Sequence, residues 1–508
     1  MTFAIVLLLA LSVLSHGPAL GAVLTDRGPV EGVHHRGLTV YEGLPFAAPP
    51  VGELRWRPPQ PAKAWLGVKR LDHFASRCMQ KGVYPDDAPA EPMSEDCLYL
   101  NLWVPDRPAA EKLPVMVWNY GGGLENGSGS IPLYAGDVLA RRGVIVVTFN
   151  YRLGVFGFLA HPQLAQESPG GSTGDYGILD QIAVLQWVHR NIAAFGGDPS
   201  RVTVFGQSSG AISISALSVS PLAKGLFRYA IAESGGLFES MELLPTATEP
   251  AAEKEGAAFA ARLGASSISA LRRVPATSLL AARFTPAIII DGAVIDEPPA
   301  EAFRQGRIGP RAFLIGSNHD EGAIFLAGEH ITPSTYEAAL DRDFPSWVVK
   351  LAAPSPGTSD ASAYAAADRF EGDMRFRWDM WAWARLASEA GKPVYVYEFD
   401  HPTPCSPNEG CVSATRHGDE MPFVFGHDLA GTWSRRDRDL SRLMTRCRTH
   451  FAKTGSPDGC GRQQWPSYGD GGQMMALGET PHLTSMQPDQ TMLRLDQFYR
   501  SAQTAASH

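Results

Sequence analysis

A serine flanked by glycines forms the segment with the clearest chemical potential, the run Gly-Gln-Ser-Ser-Gly at positions 206–210. It directly follows the apolar run Val202–Phe205, which predicts a buried strand, and it precedes a helix-compatible stretch. A strand-to-helix turn of this kind forces its central serine into a strained backbone conformation and lifts the hydroxyl into the open. Ser208 is therefore a candidate nucleophile, and a plain turn is the alternative.

Three consecutive glycines, Gly121 to Gly123, follow another apolar run at Val115–Trp118. Glycine loses more conformational freedom on folding than any other residue, so three in a row after a buried strand indicate a special backbone requirement. Such a loop lets two backbone N–H groups converge where negative charge develops, together with the N–H of Ser209. The run is a candidate oxyanion hole, and a flexible loop is the alternative.

A hydroxyl is a weak nucleophile near neutral pH, so Ser208 requires a base, and the imidazole of a histidine suits that task. His417 is the candidate, because it follows a predicted strand after a loop. The acid that orients the imidazole should also follow a strand, and the run 312–315 leads into Asp320 and Glu321. Spacing alone does not choose between these two carboxylates.

The elements that must position these residues follow from the apolar pattern. Runs that fit strands buried on both faces recur at 115–118, 144–147, 202–205, 312–315 and 394–397. Between the second and the third, apolar residues at steps of three and four predict a helix from 178 to 192. This alternation predicts an α/β fold with a mostly parallel central sheet flanked by helices, and with its catalytic groups in loops beyond the carboxyl ends of the strands.

Further segments decorate the predicted sheet. Alternating apolar and polar residues over Val23–Tyr41 predict an N-terminal antiparallel hairpin. We interpret the alanine-rich stretch Ala251–Leu280 and a later aromatic-rich stretch as helical cap insertions over the site. The aromatic stretch contains Phe376, Trp378, Trp381 and Trp383. Ordinary core packing is the alternative for the tryptophans, and no catalytic role is assigned to this stretch.

Composition and charge limit the classes of function. The chain has 508 residues with 44% hydrophobic side chains, enough to close a large core, and no linker or repeat divides it. Residues 23–508 are therefore predicted to form a single domain. The formal net charge of -9 and the lack of a Lys/Arg-rich stripe argue against nucleic acid as a partner. The sequence does not indicate the oligomeric state.

The first 22 residues have the features of a secretory signal peptide. An apolar block runs from Phe3 to Leu14, and small residues precede an expected cleavage after Gly21 or Ala22. The block is shorter than the roughly 20 apolar residues that a membrane span requires, and no later stretch reaches that length. We expect a cleaved signal and a secreted or periplasmic protein, a retained anchor being the alternative.

Export outside the reducing cytosol favours pairing of the six cysteines. Proximity in the sequence predicts three disulfides, Cys78 with Cys97, Cys405 with Cys411, and Cys447 with Cys460. No CxxC pair or HExxH run offers a metal site. We therefore expect neither a metal nor a cofactor.

Together these motifs resemble the type-B carboxylesterases, a family of the α/β-hydrolase fold that includes cholinesterases, bacterial para-nitrobenzyl esterases and the catalytically silent neuroligins. The matching segments are Glu42–Ala47, Glu95–Asn101, Gly121–Gly123, Asn150–Arg152, the Ser208 turn, Glu321 and His417. The resemblance covers nearly the whole mature chain, and these motifs in combination are highly specific.

The resemblance implies roles for particular residues. Glu321 would be the acid of a triad with Ser208 and His417. The oxyanion-hole donors would be the N–H groups of Gly122, Gly123 and Ser209. It also implies the Cys78–Cys97 disulfide and a buried, structural ion pair between Arg55 and Glu95.

Departures from the family pattern bear on the substrate. Gln207 stands where the family usually has Glu, Ser209 stands where it usually has Ala, and the Cys78–Cys97 loop lacks the tryptophan that cholinesterases present to quaternary ammonium groups. A negative charge and a cation-π platform are lost, which disfavours cationic choline-type substrates.

The sequence therefore predicts a serine carboxylic ester hydrolase that forms an acyl-enzyme and acts on small, uncharged esters with bulky or aromatic groups. Amide or carbamate hydrolysis by the same triad is one alternative. A non-catalytic, neuroligin-like binding protein is the other, and its mark would be a lost nucleophile.

Overall fold

The computed structural model describes residues 21–82, 91–106, 112–168, 170–238, 247–403, 414–469 and 471–506. Within these residues, eleven strands form one large sheet that positions the candidate residues. In chain order they are β1 Val33–His35, β2 Leu38–Pro45, β3 Tyr99–Pro105, β4 Leu113–Asn119, β5 Ile145–Phe149, β6 Gly197–Gln207, β7 Tyr229–Glu233, β8 Ala312–Asn318, β9 Val394–Asp400, β10 Gln473–Gly478 and β11 His482–Ser485.

The spatial order of the strands is β11-β10-β9-β8-β7-β6-β4-β5-β3-β2-β1. Every pair from β10 through to β5 is parallel, whereas the pairs at both edges are antiparallel. The predicted mostly parallel sheet is therefore confirmed. Its central strands are buried on both faces, which explains why they read as continuous apolar runs rather than as alternating patterns.

Register aligns the carboxyl ends of four neighbouring strands. Gly206 of β6 pairs with Asn119 of β4, Gln207 of β6 pairs with Glu233 of β7, and Glu233 pairs with Gly316 of β8. The loops that follow these strands consequently leave the sheet side by side. The glycine run, the candidate nucleophile and the candidate acids lie on three of those loops.

The helices pack around this sheet. In chain order they are α1 Asp137–Ala140, α2 Gly154–Phe158, α3 Pro162–Glu167, α4 Tyr176–Asn191, α5 Ser209–Val219, α6 Glu249–Arg262, α7 Ile268–Arg272, α8 Ala276–Ala281, α9 Pro299–Arg304, α10 Tyr336–Leu340, α11 Ser346–Ala352, α12 Asp360–Gly372, α13 Trp378–Glu389, α14 Met421–Phe425, α15 Arg435–Thr454 and α16 Gln490–Ala506. Helices α4, α5, α13 and α15 contact the central strands directly.

Local sequence sets where the longest helix, α15, begins and ends. Ser434 and Asp437 form a reciprocal capping box at its start, and Gly455 ends it with a φ of 82°. Beneath the candidate nucleophile, aromatic side chains fill the core: the ring of Trp118 lies 4.8 Å from that of Phe205 and 4.9 Å from that of Phe425. This packing fixes β4 and β6 against each other.

The decorating segments differ in detail from the sequence-based expectations. The predicted N-terminal hairpin is two short hairpins, one pairing Val23–Leu24 with Pro29–Glu31 and the other pairing β1 with β2. The alanine-rich stretch forms α6, α7 and α8. The residues of the aromatic stretch have different surroundings. Trp383 is fully buried against Phe238 and Phe313, which agrees with the core-packing alternative. Phe376 instead faces His417.

Candidate active site

Ser208 occupies a strained turn between β6 and α5. Its φ of 57° and ψ of -128° lie in a region that non-glycine residues rarely adopt. Both flanking glycines are required, since a Cβ at Gly206 would lie 2.5 Å, and one at Gly210 2.1 Å, from the carbonyl oxygen of Asn119. The N–H of Ser208 donates to the carbonyl oxygen of Glu233 at 2.9 Å, which ties the turn to the neighbouring strand.

His417 and Glu321 are brought together by the loops after β9 and β8. The Nδ1 atom of His417 lies 2.7 Å from Oε2 of Glu321. A carboxylate at this distance fixes the proton on Nδ1, so Nε2 keeps the lone pair that can accept a proton. Asp320 was the other candidate for the acid, since spacing alone did not choose between the two carboxylates. Its Oδ1 instead lies 2.7 Å from Nδ1 of His319.

The second oxygen of Glu321 is also occupied. Its Oε1 accepts hydrogen bonds from the Ser234 hydroxyl at 2.5 Å and from the N–H of Asn318 at 2.6 Å. The Glu321 side chain is fully buried. The carboxylate is therefore fixed in one orientation, with a single oxygen directed at the imidazole.

Two side chains contact the remaining surfaces of the imidazole. The ring of Phe376 stacks on that of His417, with centroids 4.2 Å apart and an interplanar angle of 12°. The amide Nε2 of Gln207 lies 3.0 Å from Nε2 of His417, at the nitrogen that would accept the proton of Ser208. Together with Glu321, these neighbours determine the plane and the direction of the ring.

Phe376 is presented by a break in helix geometry. Residues Asp373–Arg377 form a π-helical turn between α12 and α13. Such turns place a side chain where a continuous α-helix would not, and they recur at functional sites. Phe376 is only 1% exposed, so its contact with the imidazole is a buried one.

The glycine run packs directly against the nucleophile turn. A Cβ at Gly121 would lie 2.8 Å from Cβ of Ser208, and the next two residues have φ values of 107° at Gly122 and 66° at Gly123. Among the described residues, the N–H groups of Gly122, Gly123 and Ser209 donate to no protein acceptor. They are available to hydrogen-bond an oxyanion.

Two further carboxylates, of Glu233 and Glu420, are fully buried near the candidate triad. Oε1 of Glu233 accepts from Nε of Arg448 at 2.7 Å, and Glu420 accepts from the side-chain amide of Asn318. Burial, and then the proximity of Glu233 and Glu321, raises the pKa of Glu420 well above its usual value. This environment therefore favours the uncharged form of the Glu420 carboxyl.

Sequence reasoning did not identify Ser234, Glu420 or the stacking role of Phe376. Ser234 could have been found, because the apolar run 229–232 ends in Glu-Ser-Gly-Gly, which is a strand followed by small residues at the same sheet edge. Phe376 carried no such signal, since it lies among other aromatic residues at a helical spacing.

Outside the triad, the structure contains several of the expected structural pairs. Disulfides join Cys78 to Cys97 and Cys447 to Cys460. The third expected pair, Cys405 with Cys411, lies outside the described residues. Arg55 and Glu95 form a bidentate ion pair, with Nε to Oε2 at 2.6 Å and Nη2 to Oε1 at 2.5 Å.

Two kinds of feature are absent from the described residues. No helix in the described ranges combines the length and the apolar character needed to cross a bilayer. Over the same residues, no group of three or more His, Cys, Asp or Glu side chains is arranged to hold a metal ion.

The sequence matches the model of the carboxylesterase family over residues 20–500. It is 39% identical over 478 residues to a fumonisin B1 esterase of Sphingopyxis macrogoltabida, covering 89% of this chain and 86% of that protein. It is 36% identical over 481 residues to a para-nitrobenzyl esterase of Bacillus subtilis (strain 168), covering 88% of this chain and 92% of that protein. A solved para-nitrobenzyl esterase structure superposes with a TM-score of 0.81 at 34% identity, covering 93% of this chain and 99% of that chain.

Proposed function

This chain belongs to the carboxylesterase family and is a carboxylic ester hydrolase, and on that premise we propose that Ser208, His417 and Glu321 perform the hydrolysis. The observation that carries the proposal is the 2.7 Å contact between His417 Nδ1 and Glu321 Oε2, because it keeps the proton on Nδ1 and the lone pair of the imidazole on Nε2, the nitrogen that acts as the base.

In the first half of the reaction, Nε2 of His417 removes the proton of Ser208 as the hydroxyl oxygen attacks the ester carbonyl. To do so, Ser208 must displace the side-chain amide of Gln207, the preceding residue in the chain, which occupies the same lone pair. The tetrahedral oxyanion is stabilised by the N–H groups of Gly122, Gly123 and Ser209. Removing a single donor of this kind typically lowers kcat by about 10²–10³-fold.

In the second half of the reaction, the imidazolium gives its proton to the departing alkoxide, and an acyl-enzyme on Ser208 remains. His417 then removes a proton from water, and the resulting hydroxide attacks the acyl carbonyl. The tetrahedral intermediate collapses, the carboxylic acid is released and Ser208 recovers its proton. The departing alcohol carries the proton that Ser208 gave up, and water supplies the proton that Ser208 recovers, so every proton in this cycle is accounted for.

We propose uncharged esters with bulky or aromatic groups as the substrates. Gln207, a neutral side chain, lies against the catalytic imidazole, so no carboxylate at that position favours a cationic alcohol group. The name of one similar protein, para-nitrobenzyl esterase, contains an uncharged aromatic group and supports this substrate class.

We also propose that residues 1–22 are a signal peptide removed on export and that residues 23–508 form one catalytic domain. The pattern of apolar and small residues at the start of the chain supports export. The disulfides Cys78–Cys97 and Cys447–Cys460 support it as well, because such bonds persist mainly outside the reducing cytosol.

Replacement of the nucleophile tests the catalytic assignment. With para-nitrophenyl esters as substrates, Ser208→Ala should lose nearly all turnover and all labelling by a serine-reactive fluorophosphonate. Ser215→Ala is the control, because it makes the same change at a buried serine of α5 whose hydroxyl, among the described residues, hydrogen-bonds only the carbonyl oxygen of Ile212. Turnover retained by Ser208→Ala would rule out the assignment.

A substrate panel distinguishes the alternatives. The para-nitrophenyl ester and the para-nitroanilide of one carboxylic acid share the acyl group and compare the leaving groups, and a para-nitrophenyl carbamate shares the leaving group of the ester and compares the groups transferred to Ser208. A higher value for the ester supports the proposal, and a higher value for the amide or the carbamate favours that activity instead. Absence of turnover with all three would favour a non-catalytic binding protein.

A further inference from the structure

The hydroxyl of Ser209 lies at the end of the glycine loop. Ser209 is fully buried, and its Oγ accepts a hydrogen bond from the backbone N–H of Leu124 at 3.2 Å. Leu124 directly follows Gly123, and Ser209 directly follows Ser208. The bond therefore joins the end of the glycine loop to the turn that carries Ser208. The usual alanine of the family at position 209 has no side-chain atom that could accept it.

The bond holds a stretch of backbone that has an unfavourable conformation. Gly122, Gly123 and Leu124 all have positive φ values, of 107°, 66° and 57°. A left-handed conformation is accessible to glycine but unfavourable for leucine, so Leu124 needs contacts that hold it there. The Ser209 hydroxyl supplies one of them through the Leu124 N–H, and the N–H of Gly154 supplies another by donating to the Leu124 carbonyl oxygen at 2.7 Å.

The start of the glycine loop is fixed separately. The Tyr151 hydroxyl donates to the carbonyl oxygen of Tyr120 at 2.9 Å, and the two rings stack with centroids 4.5 Å apart. The same phenol lies beside Ser209: burial raises the pKa of Tyr151, and the nearby side chain of Ser209 opposes that rise. The hydroxyl of Ser209 therefore lies between the two anchored ends of the loop.

We propose that the side chain of Ser209 is a positioning residue for the oxyanion hole, which holds the N–H groups of Gly122 and Gly123 at the place where the oxyanion forms. The inference rests on the proposed function of Ser208 and extends it. Because the donors act on charge that exists only in the transition state, their misplacement should lower kcat and leave ester binding unchanged.

The variant Ser209→Ala removes the hydroxyl and keeps the backbone N–H. We expect kcat for a para-nitrophenyl ester to fall about tenfold with KM within about twofold of the wild type. Affinity for a trifluoromethyl ketone, which forms a tetrahedral adduct on the nucleophile with its oxygen in the hole, should fall by the same factor as kcat/KM. Ser215→Ala is the matched control, and it should leave kcat, KM and the affinity for the ketone unchanged.

The outcomes separate this inference from the underlying function. The positioning role is excluded if Ser209→Ala matches Ser215→Ala in kcat and in ketone affinity. It is also excluded if Ser209→Ala raises KM and leaves kcat unchanged. In either case, loss of activity in Ser208→Ala would still support Ser208 as the nucleophile. If Ser209→Ala does not fold, Ser209→Cys replaces it, because a thiol of similar size is a weak acceptor. A reduced kcat with unchanged KM in that variant supports the role, and wild-type kcat excludes it.

Discussion

The amide nitrogen Nε2 of Gln207 lies 3.0 Å from the imidazole nitrogen Nε2 of His417. Since Nδ1 of the imidazole is engaged with Glu321, the Nε2 atom of His417 is the acceptor in this contact. Gln207, which precedes Ser208, thus occupies the same lone pair that Ser208 needs in its proposed role as the nucleophile. The contact makes Gln207 a direct neighbour of the proposed chemistry.

A negative charge at position 207 should shift the pH dependence of the reaction. In Gln207→Glu, a carboxylate beside Nε2 would favour the protonated imidazole, so the free base would form only at higher pH. We expect the acidic limb of the kcat/KM profile to move to higher pH by about one unit. The neutral variant Gln207→Ala is the control and should not show this shift. A profile for Gln207→Glu that overlays that of the wild type would contradict the assigned contact.

Replacement of the two neighbouring acids should separate their roles. Glu321→Gln keeps the shape of the side chain but puts an amide against Nδ1, which no longer favours the productive tautomer or stabilises the imidazolium. We expect kcat to fall by about 10⁴-fold, the size of this effect in Ser-His-Asp enzymes. Asp320→Asn should stay within about threefold of the wild type, because Asp320 contacts His319 and Thr415. Equal losses in steady-state kcat from the two variants would contradict the assignment of Glu321.

Part of this arrangement is local, and for that reason it could be predicted from the sequence. The backbone of Ser208 is set by the glycines on either side of it and by the strand before it, all within a few residues. The runs that became β4, β6, β8 and β9 were recognisable because parallel central strands are apolar on both faces.

The rest depends on contacts between distant segments. Ser234 and Glu321 are separated by 87 positions, and only the alignment of β7 beside β8 brings them to 2.5 Å. Likewise, spacing could not choose between Asp320 and Glu321, because the direction of each side chain depends on where the His417 loop passes. Phe376 depends on a π-helical turn, which the residue pattern does not indicate.

Loss of the aromatic ring on His417 should impair activity more than stability. Phe376→Leu conserves most of the buried volume, so we expect the free energy of unfolding to fall by less than about 1.5 kcal/mol. We expect kcat/KM to fall about tenfold, since the imidazole would lose the ring that fixes its plane. Phe370→Leu is the matched control, because Phe370 is fully buried but packs on Phe344. Similar losses of kcat/KM in both variants would show that the stacking has no specific role.

His319 and Asp320 form an ion pair whose contribution to stability should depend on pH. The Nδ1 to Oδ1 distance is 2.7 Å, and chiefly this hydrogen bond, which the imidazole donates to Asp320, raises the pKa of His319 from 6.5 to about 9. A raised pKa in the folded state means that folding favours the protonated imidazole. The stabilisation is therefore complete below about pH 6.5 and is lost as the pH rises through about 9.

The variant His319→Gln removes this titration and leaves the backbone hydrogen bond of residue 319 in place. We expect the difference in the free energy of unfolding between wild type and variant, measured by urea denaturation, to be largest at pH 6 and smallest at pH 10. Because the His319 side chain is 47% exposed, added salt should reduce the difference at pH 6. A difference that stays constant from pH 6 to pH 10 would mean that the pair with Asp320 does not stabilise the charged imidazole.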